Sequence, residues 1–442
     1  MKFRLADARI HIRLAAGFEG GSPCWTLLGA GDFRIESGLR PNRHNSMAVP
    51  VTSDLVSLIQ QANIAIINLE GPLCNAGIAI PKSGPVIYGD PNTATMLYRA
   101  GFNVVTLANN HIMDYSFEGL KGTLERCCAT GLSICGAGTN IEQALRPVEL
   151  EIAGKIKVSI LAVCEREFGV ADDDQPGSAW ISHPLTLEAV IKAKRESDIV
   201  VVVAHGGVEE VPFPPIERQV QLRQLVDAGA DLVIGHHSHV PQGWEQYRNG
   251  FIFYSLGNFL FDYPNGESHP KTEWGLIVRF HFCGACLVGI DLIPIEQVDG
   301  IVGRMGKRRD LGECLHYLSR LAELTGDQST LAAYWQEIAV RLFMGRYLPY
   351  LRYSCGCRVT DNTLRAYAYG LVRALARRLF NKSKIQSNKA SLDYLLLLNL
   401  LRNESHYWTI KTALSVLSGE EKDLRTTQVK DEVERLLRWT QE

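Results

Sequence analysis

The stretch that decides the fold is DLVIGHHSHV, residues 231–240. Leu232, Val233 and Ile234 form a short apolar run that stops at Gly235, and His236, His237 and His239 follow at once. A Val/Ile-rich run bounded by glycine reads as a buried strand. The histidines therefore stand where a strand gives way to a loop. His237 and His239 are two apart, so on extended chain they share a face, and in a tight loop both rings can still turn to one point. Neutral imidazole is the commonest protein ligand of transition metals. A single loop histidine is usually just solvated. Three in four positions after an apolar strand point to a metal.

Other apolar runs end in the same way. WTLLGA (25–30) leads to Gly31-Asp32, IAIINL (64–69) to Glu70-Gly71-Pro72, and VVTL (104–107) to Asn109-Asn110-His111 with Asp114 beyond. IVVVVA (199–204) leads to His205-Gly206-Gly207, and FIFYSL (251–256) is closed by Gly257-Asn258. One Asp after a strand is more often a turn former or a helix cap, but that reading weakens with each repeat. Helical spacing at 51–61, 93–100, 117–128, 185–195 and 217–228 separates the strands, so the pattern is that of a layered α/β domain. In such a fold the strand ends converge on one edge. A further strand at 156–163 precedes Asp172-Asp173-Asp174, which reads as a solvated loop, and 276–281 with 286–292 reads as a closing hairpin. The Gly/Pro-rich segment 74–90 is a long loop, of the kind that often borders a functional site.

After about residue 300 strand signals give way to helical periodicity at 311–324, 331–346, 363–380, 391–401, 406–417 and 429–439, with a polar basic linker at 381–389. The expected division is an α/β domain over 1–298 and an all-helical region over 299–442. The chain has 442 residues, enough for a well-buried core. It is 46% hydrophobic and 21% charged with a net charge of −2, which gives no overall reason to expect nucleic acid or a membrane. The charge is uneven: residues 301–442 hold 23 Lys+Arg against 15 Asp+Glu, so two mutually attracting surfaces are expected. The eleven cysteines cannot all pair within one chain, and Cys127-Cys128 and Cys355-Gly356-Cys357 suggest no disulfide framework. Reduced thiols, no apolar leader and no run near the ~20 residues of a membrane span predict a soluble, cytoplasmic protein.

The residues gathered at strand ends are Asp32, Glu70, Asn110, His111, His205, His237 and His239. The set offers oxygen and nitrogen but no sulfur, which suits manganese, iron or zinc and not a thiolate zinc site. A carboxylate can bridge two cations, the arrangement used for hydrolytic displacement. His111 adjoins a candidate ligand and could hand a proton to a leaving group.

With these residues in hand a family resemblance is visible. GD (31–32), NLEGPL (68–73), LANNHIMDY (107–115), AHGG (204–207), DAGADLVIGHHSHVPQGWE (227–245) and FYSLGNFLFD (253–262) resemble the CapA-type poly-γ-glutamate capsule-biosynthesis proteins, which are similar to calcineurin-like metallophosphoesterases. The likeness covers roughly residues 25–295. It implies a four-layer αββα sandwich followed here by the all-helical C-terminal region. It implies two divalent transition metals, with Asp32 and His239 on one, Asn110, His205 and His237 on the other, and Glu70 bridging. It also implies His111 as the general acid. Asp114 is a further catalytic candidate, and Arg34, His236 and Asn258 are candidate substrate contacts.

Three departures from the pattern stand out. Metallophosphoesterases begin with Asp-x-His, and here Arg34 stands two after Asp32, so one metal loses a ligand and Arg34 could grip an anionic group. Glu70 stands where phosphoesterases use Asp, and His205-Gly206-Gly207 where the capsule proteins have His-Trp-Gly. Those proteins are also commonly membrane-tethered, and no anchor is legible here. Two functions are compatible with this set. One is a metal-dependent hydrolase or group-transfer enzyme acting on a phosphoester or a γ-glutamyl amide. The other is a non-catalytic accessory protein that binds an anionic polymer or a biosynthetic partner enzyme through a degenerate metal site.

Overall fold

The computed structural model describes residues 3–6, 9–14, 23–36, 49–75, 77–152, 155–266, 269–354 and 389–439. Two mixed β-sheets with flanking helices form the α/β part, and helices follow it. The first sheet runs in the order Phe3–Ala6, Arg9–Arg13, Cys286–Val298, Trp274–Cys283, Cys24–Arg34, Ile64–Leu69, Val104–Thr106, Ser133–Cys135. Asn258–Phe261 also pairs with Cys24–Arg34, and Ile301–Arg304 with Cys286–Val298. The second sheet runs Trp244–Tyr247, Gly250–Phe253, Leu232–His236, Ile199–His205, Ile156–Cys164, Val148–Ile152.

The central strands are parallel and β-branched, and Ile64–Leu69 and Ile199–His205 are buried at every position. Strands covered on both faces lose the alternation of half-exposed ones, which is why they read as unbroken apolar runs. Leu27, Ile64, Ile66 and Val104 of the first sheet share one cluster with Val158, Ile160, Val201 and Val203 of the second. The first sheet's other face packs Leu28, Ala65 and Ile67 on Leu55, Leu97 and Leu120 of the helices Ser53–Gln60, Thr93–Ala100 and Ser116–Thr130. The second sheet's other face packs Val200, Val202 and Val233 on Val190, Leu222 and Leu225 of Pro184–Glu196 and Ile216–Asp227. The layers therefore run helix, sheet, sheet, helix.

Three boundaries differ from the sequence reading. Asp32 lies within its strand, which continues to Arg34 because Asn258–Phe261 arrives alongside in parallel register. A Cβ at Gly31 would sit 2.1 Å from the Gly257 carbonyl oxygen, so only glycine admits that approach. The strand expected over 251–256 stops at Phe253, because the chain turns at Gly257 (φ +68) and crosses to the other sheet. Strand structure also runs past the expected 298/299 division. Asp299 and Gly300 both have positive φ (+52 and +71), the signature of a type I′ hairpin turn, and Ile301–Arg304 folds back on Cys286–Val298.

The helices beyond are Leu311–Gly326, Gln328–Leu342, Leu348–Ser354, Lys389–Arg402, Glu404–Ser418 and Thr427–Trp439, with a π-helical turn at Phe343–Tyr347. The predicted helix at 363–380 and the linker at 381–388 lie outside the described residues. The helical region is not set apart: Leu318, Leu321, Trp335 and Ile338 belong to the same cluster as Val201 and Phe253. Gln219 Nε2 donates to the Thr325 carbonyl (2.7 Å), and Thr325 Oγ1 to the Trp244 carbonyl (3.2 Å). Among the described residues no helix is long and apolar enough to cross a membrane.

Candidate metal centre

Parallel strands of both sheets end at one rim. The first sheet brings Asp32 and Glu70 there, with Asn110 in the loop after Val104–Thr106. The second brings His205 and His236, which are register partners, and then His237 and His239. His237 and His239 hold left-handed backbone, φ +89 and +58. Non-glycine residues pay strain there and keep it only where their surroundings impose it.

Ligand atoms of Asp32, Glu70 and His239 all lie within 4.8 Å of one another. Asp32 Oδ1 accepts from Asn68 Nδ2 (2.7 Å), and Oδ2 accepts from the His237 amide (3.0 Å). Asn258 Nδ2 donates to the Thr272 carbonyl (3.1 Å), which leaves its Oδ1 facing His239 Nδ1 at 2.9 Å. That oxygen can only accept, so Nδ1 carries the proton and Nε2 keeps its lone pair, 3.9 Å from Glu70 Oε1. Glu70 Oε2 is buried without a hydrogen-bond partner. Burial pushes the Glu70 carboxyl well above the usual range, and the charge of Asp32 adds to the push. Burial would also raise Asp32, but the imidazoles of His236, His205 and His239 outweigh it, and its carboxyl is held far below the usual range.

A second convergence adjoins the first. His205 Nε2 is 3.0 Å from His237 Nδ1 and 3.1 Å from Asn110 Oδ1. Burial and the neighbouring His237 hold His205 well below its ordinary pKa. Two ring nitrogens and an amide oxygen thus meet with too few protons to bridge them. An orphaned carboxylate oxygen and this electron-rich trio both fit divalent cations bound by nitrogen and oxygen.

His111 stands beside the first group, its Nε2 3.9 Å from Glu70 Oε1. Its Nδ1 donates to Asp114 Oδ2 (2.6 Å), and Lys82 Nζ donates to Asp114 Oδ1 (2.6 Å). Burial and the Lys82 charge lower the His111 pKa against the opposing pull of Asp114. Lys82 comes from the 74–90 loop, so that loop does border the site.

The structure brings Asp32, Glu70, Asn110, His111, Asp114, His205, His237 and His239 together. The three expected substrate contacts are placed otherwise. Arg34 is buried, and its guanidinium donates to the Tyr88 carbonyl (3.2 Å), the Asp262 carbonyl and Glu36 Oε2 (2.5 Å). Protein acceptors thus take the fork that a substrate anion would need. His236 is buried under the rim, with Nδ1 3.1 Å from Asp32 Oδ1 but off-line for a hydrogen bond. Asn258 orients His239.

Sequence reasoning missed Asn68, Lys82 and above all Glu165. Glu165 follows Ile156–Cys164 directly and is 1% exposed. Its Oε1 lies 3.6 Å from His237 Nε2. It accepts from the Gly207 amide (3.2 Å) and, out of the helical region, from Asn403 Nδ2 (3.0 Å) and Ser405 Oγ (2.6 Å). Its signal was that of Glu70, a carboxylate just past an apolar strand.

Residues 26–263 match the family model described as bacterial capsule synthesis protein PGA_cap. The capsule biosynthesis protein CapA of Bacillus anthracis is 35% identical over 215 residues, 47% of this chain and 51% of that protein. The PGA biosynthesis protein CapA of Bacillus subtilis is 36% identical over 199 residues, 44% of this chain and 51% of that protein. A "probable polyglutamine synthesis accessory protein" of Mycobacterium tuberculosis is 29% identical over 261 residues, 56% of this chain and 68% of that protein. The chain thus spans about half the length of the two Bacillus relatives it matches.

Proposed function

From the premise that this chain belongs to the bacterial capsule synthesis protein family, we propose that it serves poly-γ-glutamate biosynthesis as a metal-dependent hydrolase or group-transfer enzyme. The proposed fold type is the αββα sandwich of calcineurin-like metallophosphoesterases, and the proposed substrate is a glutamyl-type amide or a phosphoester. The observation that carries this reading is the buried Glu70 carboxylate, one oxygen unpartnered, beside Asp32 and His239.

Asp32, Glu70 and His239 would hold one divalent cation, and Asn110, His205 and His237 a second, with manganese, iron and zinc as the candidates. When bound, such ions lower the pKa of water toward neutrality and stabilise an oxyanion. The protein's own groups do the rest. Asn258 fixes the His239 tautomer, and Asn68 fixes the Asp32 carboxylate. Asp114 holds His111 through Nδ1, so its Nε2 is the atom that takes up a proton and returns it to the leaving atom.

The accessory reading is favoured by the occupied Arg34 fork, by the histidine that Arg34 replaces two residues after Asp32, and by the name of the mycobacterial relative, a probable synthesis accessory protein. Elemental analysis of purified protein tests both. About two transition-metal equivalents per chain, with turnover in a screen of phosphoesters against γ-glutamyl amides, is the expected result. His111→Ala should then keep the metals and slow turnover by about 10²–10⁴. A metal-free, folded protein that still supports polymer synthesis would overturn the enzyme reading.

A further inference from the structure

At the far end of the first sheet from the rim, three cysteines stand in a row on neighbouring strands. Cys24 faces Cys283 across the pairing of Cys24–Arg34 with Trp274–Cys283. Cys283 also faces Cys286 across the hairpin closed by Gly284-Ala285. Cross-strand partners project to the same face, so all three thiols share one face. Cys24 and Cys286 are exposed and Cys283 is partly so.

The two pairings are not equivalent. The Gly284 amide donates to the Pro23 carbonyl (3.0 Å), so it points toward the strand of Cys24. Backbone polar groups alternate sides along a strand, so those of Cys283 point the other way, toward Cys286. Cys283 and Cys286 are therefore a hydrogen-bonded pair, with Cα atoms about 5.5 Å apart, and Cys24 and Cys283 a non-hydrogen-bonded pair at about 4.5 Å. Side chains approach more closely in the second kind, and a disulfide needs its Cβ atoms within about 3.5–4.5 Å. We propose that Cys24 and Cys283 form a reversible cross-strand disulfide, a modification site open to small-molecule disulfides, with Cys286 excluded by its pairing geometry.

A hydrogen bond between the two thiols supports the pairing and pushes the Cys283 thiol up to about 11. The exposed Cys24 is then the first nucleophile. Its thiolate attacks one sulfur of a disulfide RSSR, forming the mixed disulfide and releasing RS⁻. Cys283 gives up its proton and attacks the Cys24 sulfur, releasing the second RS⁻. The protein loses two electrons and two protons, and RSSR leaves as two RSH. Cys283 succeeds by proximity, not acidity. The bond would tie the strand that carries Asp32 to the closing hairpin, enclosing every candidate cation ligand in one covalent loop. It therefore stabilises the layers without touching the site.

The test treats the whole chain with excess oxidised glutathione and maps peptides without reduction. A Cys24–Cys283 cross-link is expected, with the melting temperature raised by at least about 3 °C and reversed by dithiothreitol. Cys286→Ser should keep the cross-link and the shift. Cys283→Ser should lose both and leave Cys24 glutathionylated, and Cys24→Ser serves the same purpose should that variant not fold. A Cys283–Cys286 link, or reduced thiols at both positions in the folded wild type, would overturn the proposal.

Discussion

Asp32 and Asp291 sit in the same sheet, both buried and both ringed by imidazoles, yet their surroundings differ in kind. Around Asp291, Arg9 Nη1 lies 2.9 Å from Oδ2, His11 Nδ1 2.6 Å from Oδ1 and His281 Nε2 2.9 Å from Oδ2. Both oxygens have donors, and one donor is a permanent cation. At the rim, Asp32 receives neutral donors from Asn68 and a backbone amide, and the second carboxylate beside it, Glu70, keeps one oxygen bare. Ionised carboxylates are costly to bury unless paired. The Asp291 cluster closes itself and needs nothing. The rim cluster leaves one Glu70 oxygen without a protein donor, an unmet demand that the proposed cation would fill and that the ion network around Asp291 lacks.

The sharpest way to break this contrast is at the imidazoles. His237→Ala combined with His239→Ala removes one donor from each convergence, and cation loading should fall from about two equivalents to none. The circular dichroism spectrum should stay that of the wild type, because the packed layers do not depend on these rings. The parallel variant His11→Ala with His281→Ala should leave cation content unchanged. Wild-type loading in the first variant, or lost loading in the second, would collapse the distinction.

The strand ends were readable because fully covered parallel strands announce themselves as β-branched runs. IAIINL, IVVVVA and DLVIGHH each ended with its polar residue where the rim lies. What spacing does not encode is where a rim side chain spends its hydrogen bonds. Arg34, His236 and Asn258 were expected to face substrate, but Arg34 is taken by Tyr88, Asp262 and Glu36, Asn258 by Thr272 and His239, and His236 is buried beneath the rim, placements set by segments that the spacing of a motif does not name. The short strands Arg9–Arg13, one in from the edge of the first sheet, and Val148–Ile152, at the edge of the second, alternate charged and apolar residues over too few positions to stand out. The hairpin at Asp299-Gly300 did carry a turn signal, a dipeptide suited to positive φ. The helical region was legible as helices but not as part of the same core, because periodicity names an apolar face and not what covers it.

Glu165 gives a smaller and more informative effect than the paired histidines. It lies within ion-pair distance of His237 Nε2, and Asn403 and Ser405 of the helical region hold it. A carboxylate behind a ligating imidazole fixes the ring and raises its basicity, and losing it typically costs about 10–100-fold in metal affinity. Glu165→Gln should weaken one of the two cation equivalents by that factor and leave the other intact, as read by isothermal titration with manganese. Asn403→Ala should move the same equivalent by less. Equal weakening of both equivalents would mean that the helical region supports the rim in general and not His237 in particular.

The smallest effect concerns the self-neutralised cluster, and its sign is fixed by protonation. Burial alone would raise Asp291, but the hydrogen bonds of His281 and His11 and the charge of Arg9 outweigh it, and the carboxyl is held at about 2. A depressed carboxyl stabilises the fold fully above its unfolded pKa of about 3.9, and that contribution drains away as pH falls toward the folded value. The partners are about a third exposed, at 35%, 36% and 31% for Arg9, His11 and His281, so solvent screens the interaction to about 1 kcal/mol. Asp291→Asn should therefore lower stability by about 1 kcal/mol in urea titrations at pH 7. The difference from wild type should shrink as pH is lowered from about 4 toward 2. Added manganese should stabilise wild type and variant equally, since the proposed cation site is the other cluster. A manganese response lost with Asp291 would mean that the two clusters are one electrostatic system and that the contrast between them is false.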